Sequence, residues 1–184
     1  RSLNVSFDVD DAPGRVEENL ARVRFQIGVP RGALYASTQV HGADVVVLSG
    51  DEDTAEVLAR KADALVTAAR DVAVGVRTAD CAPVLIATDD GAGVAAVHVG
   101  WRGAVGGAIG RALEALCRET SKEPHQLVAS VGPCIGRDAF EVGPEVVEAA
   151  RGAAGDVDAL VRPGREDRLH LDLGGLALLL LARA

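Results

Sequence analysis

The sequence predicts an α+β fold with mixed sheets, and three observations carry that reading. Strand-like runs come in neighbouring pairs divided by short turn signals, as in PVLIAT (83–88), DDGAG and GVAAVHV (93–99). Amphipathic helical runs stand between such pairs, the longest over residues 103–119. The order of the runs does not follow the strict alternation of strand and helix that builds a parallel sheet. The 184 residues, 48% hydrophobic and 25% charged, suffice for one domain with a substantial core. Only 3% of residues are aromatic, so Val, Leu, Ile and Ala must build that core.

In chain order, residues 2–13 read as an alternating strand and an acidic turn. Residues 15–28 read as a helix with Val16, Leu20, Val23 and Ile27 on one stripe, stopped by Gly28-Val29-Pro30. YASTQV (35–40) and DVVVL (44–48) are strands, most simply a hairpin with His41 at its tip. Residues 54–62 form a helix capped by Asp53 or Thr54, with Glu56 placed to support Arg60. Strands over 64–67 and 72–79 precede the central hairpin. The helix over 103–119 carries Val105, Ile109, Leu113, Leu116 and Cys117 inward and Arg111, Glu114 and Arg118 outward. QLVASVGP (126–133) reads as a buried strand. A short strand FEVG, a helix from Pro144 to about Ala150, a mobile Gly/Ala/Asp-rich loop to 158, a strand LHLDL (169–173) and an apolar terminal helix complete the chain.

Composition excludes several function classes. A formal net charge of −8 argues against a partner held through phosphate-backbone contacts, while leaving small anions that one arginine can hold. No apolar stretch reaches the ~20 residues needed to span a bilayer, and the final LALLLLA suits a core helix. Three cysteines, 81, 117 and 134, form no CxxC pair and leave an odd count, which fits free thiols or ligands in a reducing cytoplasm. The sequence begins at Arg and holds no Met, so it is expected to be a portion of a longer protein.

The chemistry concentrates in RTADCAPVLIATDDGAGVAAVHVGWRG (77–103). A hairpin over this stretch brings Cys81 and His98 to one sheet edge. Cys81 follows His41 by 40 positions and precedes His98 by 17, neither a local chelate spacing, so spacing alone supports a zinc site only weakly. On residue type alone His41 reads as a solvated tip and His98 as a hydrogen-bonded core histidine. Cys81 reads equally as a small buried hydrophobe, with Asp80 beside it in an apolar context. Cys117 belongs to the core stripe, and Cys134 to a packed turn. His125 faces solvent and His170 solvent or a sheet edge. Arg102, in a Gly100-Trp101-Arg102-Gly103 corner that opens a helix, is the best anion-binding candidate.

Taken together, TQVHGADVV (38–46), KADALVT (61–67), TADCAPVL (78–85), HVGWRG (98–103) and GPCIGRDAFEVGPEV (132–146) resemble the multicopper polyphenol oxidase or laccase-domain family, reinterpreted as zinc-containing purine nucleoside phosphorylases. The resemblance runs from Ser2-Leu3-Asn4 to about Leu173. It implies a layered α/β/β/α arrangement and a metal, zinc or alternatively copper, on His41, Cys81 and His98 with one open position. It further implies phosphorolysis of adenosine, inosine, guanosine and methylthioadenosine, and deamination of adenosine. Arg102 would take phosphate, Asp80 would act as base or orienter beside Cys81, and Asn4 would touch ligand. Purine nucleosides and phosphate are the expected partners, with neither nucleic acid nor membrane, in a cytoplasmic monomer or weak homo-oligomer. The arginine-bearing strand that precedes SLN in the family and a C-terminal stretch with further arginines are absent from this sequence. The terminal helix carries Gly and Leu where the family often has Asn. Rival expectations are copper-dependent phenol oxidation, a Cys81/His98 hydrolase, and a non-catalytic peptidoglycan-related role.

Overall fold

The DDGAG turn behaves as its residues dictate, and the sheet grows outward from it. In the computed structural model, which describes residues 3–7, 9–29 and 34–184, Gly91 takes a φ of 72° and its N–H donates to the Thr88 carbonyl at 3.1 Å. β5 (Ala82–Thr88) and β6 (Val94–Val99) pair antiparallel across it, with Pro83 opposite His98 and Ala82 opposite Val99. β2 (Val45–Leu48), β3 (Ala64–Thr67) and β7 (Leu127–Val131) complete a five-stranded mixed sheet in the order β2-β3-β6-β5-β7. A parallel pair, β1 (Leu34–Tyr35) with β4 (Ala73–Val74), and a three-stranded sheet of β8 (Glu141–Val142), β10 (Leu169–Leu171) and β9 (Val161–Pro163) accompany it.

One face of the large sheet carries α3 (Trp101–Val105), α4 (Ala108–Thr120), α5 (Pro144–Ala154) and α6 (Leu173–Leu181). Ala64, Val66, Val84, Ile86, Val97 and Val99 from the strands interlock there with Ile109, Leu113, Leu116 and Leu176. The opposite face packs Leu48 and Leu65 against Tyr35 and Val57, the last from α2 (Thr54–Ala59). Helices, large sheet, small parallel pair and helix therefore follow one another, which is the mixed α+β arrangement the strand pattern predicts. Asp53 caps α2 as expected, accepting from the N–H groups of Ala55 and Glu56. Among the described residues no helix is long and apolar enough to cross a membrane.

Several local expectations fail for physical reasons. The 35–40 and 44–48 runs do not form a hairpin. Thr38 instead bridges Lys61, with Thr38 N–H donating to the Arg60 carbonyl and Ala62 N–H to that of Thr38, while β2 pairs parallel with β3. The single helix over 103–119 is two, because Gly107 adopts a left-handed φ of 84° at the start of α4 and redirects the chain. β7 is an outer strand with an exposed middle rather than a buried one, and Val128 is 58% exposed. Residues 3–7 lie outside any strand, and the 72–79 run shrinks to β4. α5 continues through Ala154, absorbing much of the segment expected to be a mobile loop. α2 stops at Ala59, short of the expected Ala62. α1 (Pro13–Gln26) buries Val16 and Asn19 in place of the full Val16, Leu20, Val23, Ile27 stripe. Cys117 is only half-buried. The expected stop at Pro30 and the start of the motif at Ser2 lie outside the described residues.

Candidate metal centre

The β3–β6 ladder sets Ala64 opposite Val97 and extends one step further, where the His98 N–H donates to the Asp63 carbonyl at 2.7 Å. This register puts the side chains of Asp63 and His98 side by side, and Nδ1 of His98 lies 2.7 Å from Oδ1 of Asp63. Both are buried, Asp63 at 0% and His98 at 3% exposure. A carboxylate accepts only, so Nδ1 of His98 carries a proton, and the neutral imidazole, the form that binds a metal, presents its lone pair at Nε2. The core-histidine reading and the ligand reading of His98 are thus compatible.

Asp63 also organises the segment that carries His41. Its Oδ2 accepts from the N–H of Gly42 at 2.7 Å and of Val40 at 3.1 Å, and its Oδ1 from His41 N–H at 2.9 Å. These bonds hold His41 at a left-handed φ of 59° and bend the chain over the sheet edge. Burial alone would raise the Asp63 carboxyl, but the His98 and backbone hydrogen bonds outweigh it and hold the group below the ordinary carboxylate range. Gln39 ties the same segment to the stretch that leads into Cys81: its Nε2 donates to the Arg77 carbonyl at 2.7 Å, and its Oε1 accepts from the Arg77 N–H at 2.8 Å.

The result is one cluster. His41, Cys81 and His98 bring their ligand atoms within 4.8 Å of one another, the two imidazole rings meeting edge to face at 75°. Among the described residues no other group of His, Cys, Asp or Glu is gathered for a metal ion. Burial first, then the carboxylates of Asp80 and Asp63, pushes the Cys81 thiol up, so Cys81 standing alone is a poor thiolate and a poor nucleophile. A cation among these three groups reverses that preference. Two imidazoles and a thiolate are a donor set that zinc or copper accepts, and Asp63 behind His98 is the outer carboxylate that such histidines usually have.

The cluster opens into a cavity of about 680 Å³, whose wall includes Ser6, Phe7, Thr38, Gln39, Arg77 and Asp80. Asp80 is exposed on this wall, a correction to the apolar setting expected for it, because β5 begins only at Ala82. Arg102 and Asn4 lie outside the lining. Arg102 is exposed, its guanidinium 4.4 Å from the centroid of the Trp101 ring. Asn4 spends its amide on its own turn, Oδ1 accepting from Ser6 N–H at 2.9 Å and Nδ2 donating to Ser6 O at 3.0 Å. Asp63 and Gln39 escaped the sequence reading. The visible signal for Asp63 was an acidic residue directly before the wholly apolar Ala64-Leu65-Val66; for Gln39 there was none.

A family model described as multi-copper polyphenol oxidoreductase laccase matches residues 1–184. Among curated proteins the chain is 36% identical over 178 residues to adenosine deaminase RL5 from an unknown prokaryotic organism, covering 93% of this chain and 67% of that protein. It is 38% identical over 186 residues to a purine nucleoside phosphorylase of Xylella fastidiosa strain 9a5c, covering 98% and 68%. It is 37% identical over 148 residues to purine nucleoside phosphorylase YfiH of Escherichia coli strain K12, covering 80% and 57%. The chain thus spans between 57% and 68% of the length of these relatives. Among solved structures, Neisseria meningitidis protein NMB0706 superposes with a TM-score of 0.84 at 35% identity, over 99% of this chain and 71% of that one. YlmD from Geobacillus stearothermophilus does so with a TM-score of 0.89 at 25% identity, over 99% and 70%.

Proposed function

Because the chain belongs to the multi-copper polyphenol oxidoreductase laccase family, we propose that it carries the metal centre of a purine nucleoside phosphorylase that also deaminates adenosine. The observation that carries this reading is the convergence of His41, Cys81 and His98 within 4.8 Å at the wall of an open cavity. The proposed substrates are adenosine, inosine, guanosine and methylthioadenosine with phosphate, and the proposed resident metal is zinc. The half-buried free thiols Cys81, Cys117 and Cys134 suit the cytoplasm proposed as its compartment.

In this reading His41, Cys81 and His98 hold the ion and leave its remaining side toward the cavity. When bound, zinc supplies a Lewis acid and lowers the pKa of water to about 7. The protein's own groups do the rest. Asp63 keeps the His98 proton on Nδ1, away from the cavity. Asp80, exposed on the cavity wall, is proposed to take a proton from water in deamination or to orient the groups beside Cys81. In phosphorolysis the bond from the anomeric carbon to the purine breaks as a phosphate oxygen bonds that carbon, and the proton that phosphate gives up goes to the purine nitrogen; in deamination the oxygen of water replaces the amino group, which leaves as ammonia. Arg102, two residues beyond Gly100, is proposed to hold phosphate, and Asn4 to support ligand through the turn that places Ser6 and Phe7 on the cavity.

Copper-dependent phenol oxidation ranks below this. A three-ligand cluster is the only such group among the described residues, and four-electron reduction of oxygen by a multicopper enzyme draws on several copper ions. The test is to incubate metal-quantified protein with adenosine, with and without phosphate, and resolve the products by chromatography beside Cys81→Ala. Adenine release that requires phosphate and vanishes in the variant supports the proposal. Untouched adenosine with zinc-loaded protein overturns it.

A further inference from the structure

Asp63 meets four hydrogen-bonding partners with two oxygens, and the identity of those partners restricts what can stand there. Oδ1 faces the His41 N–H at 2.9 Å and Nδ1 of His98 at 2.7 Å; Oδ2 faces the N–H groups of Gly42 and Val40 at 2.7 and 3.1 Å. Three of the four are backbone N–H groups and can only donate. The group is wholly buried, so no water stands ready to take over a lost bond. We propose that Asp63 is the positioning residue of the metal centre, acting on both histidine ligands at once: it fixes which nitrogen of His98 is free and where the His41 backbone lies.

The inference rests on His41, Cys81 and His98 binding a metal, and is independent of the nucleoside chemistry proposed for it. It follows from an acceptor count that only a carboxylate satisfies. An asparagine of the same shape offers one oxygen and one NH2. With the NH2 toward Gly42 and Val40, donors oppose donors and the 40–42 turn lifts. With the NH2 toward His98, the imidazole accepts at Nδ1 and carries its proton on Nε2, the nitrogen that otherwise offers its lone pair to the cluster; the His41 N–H then also faces a donor. Either arrangement spoils one histidine as a ligand. The backbone bond from His98 N–H to the Asp63 carbonyl survives the substitution, so the strand pair itself remains.

The experiment measures zinc affinity of Asp63→Asn and wild type by competition with a chromophoric chelator, alongside circular dichroism of the zinc-free proteins. Folded Asp63→Asn should bind zinc about 10- to 100-fold more weakly, the usual consequence of losing an outer carboxylate. Nitrogen-15 spectra of zinc-free wild type, which need no variant to fold, should show the neutral His98 protonated on Nδ1. A folded Asp63→Asn with zinc affinity within about threefold of wild type, or a wild-type His98 protonated on Nε2, overturns the assignment. Loss of zinc affinity in Asp63→Asn with no nucleoside turnover in wild type would leave it standing while removing the proposed function.

Discussion

Gly103 lies so close to Gly42 that a β-carbon built on it would stand 2.8 Å from the Gly42 carbonyl oxygen. α3 is thereby seated directly on the turn that carries His41. Gly100, at the head of the same helix, faces the cluster in the same way: its β-carbon would lie 3.0 Å from Cδ2 of His41 and 3.1 Å from Sγ of Cys81. Gly100 therefore serves close packing against two of the three ligands, and Gly103 against the turn that carries one of them.

Gly103→Ala should consequently cost more than a helical alanine gains. A favourable propensity of about 1 kcal/mol works against an overpacking cost of about 1–3 kcal/mol, since the clash is with backbone that cannot rotate away. Urea midpoints should fall and zinc affinity should fall with them, because the displaced atom belongs to the residue after His41. A variant as stable as wild type with full zinc affinity would show that the turn yields freely.

His41→Gly separates folding from metal binding. His41 sits at a φ of 59°, which costs an L-residue roughly 1–2 kcal/mol and glycine little. The Asp63 bonds are to backbone N–H groups and persist in the variant. The zinc-free variant should melt at the same temperature as wild type or higher, while zinc stoichiometry falls and zinc no longer raises the melting temperature. A large drop in the zinc-free midpoint would place structural weight on the imidazole instead.

Acid should weaken the turn before α2 in a defined window. Burial works against ionisation of Glu52, but the N–H groups of Ser49 and Gly50 and the Ser49 hydroxyl outweigh it and bring the carboxyl from 4.5 down to about 2. A depressed pKa contributes stability that is complete above the unfolded value and is lost as pH falls from 4.5 toward 2. Wild type should therefore be more stable than Glu52→Gln at pH 7, and the gap should close across that window in urea titrations. A gap that does not change with pH would assign the effect to shape rather than charge.

What was legible in the sequence was what depends on near neighbours. The β5–β6 hairpin could be read because its strands and the DDGAG turn are contiguous, and α4 because Ile109, Leu113 and Leu116 repeat at helical spacing. The hairpin expected at His41 failed because its competitor is distant: the 38–42 segment finds its partners at Leu58, Arg60, Ala62 and Asp63, which no local pattern announces. Asp80 looked buried because its neighbours are apolar, but exposure is decided by where β5 begins. The ligand set was visible only through the family resemblance, since separations of 40 and 17 residues become one cluster only after β3, β6 and β5 are side by side.

The two glycines Gly107 and Gly110 offer the same substitution with opposite outcomes. A β-carbon on either meets nothing within 4 Å, so packing is silent at both and the backbone alone decides. Gly107 holds a φ of 84° where α3 gives way to α4, and alanine there should cost about 1–2 kcal/mol. Gly110 lies within α4, and alanine there should stabilise by about 1 kcal/mol through its better helix propensity. Urea unfolding of the two single variants should move the midpoint in opposite directions. If Gly107→Ala were neutral or stabilising, α3 and α4 would be able to join into the one continuous helix that the periodicity of residues 103–119 suggests. The seating of α3 on Gly42 would then not depend on the break. A destabilising Gly107→Ala beside a stabilising Gly110→Ala shows instead that the sharp change of direction between the helices is held by the left-handed residue.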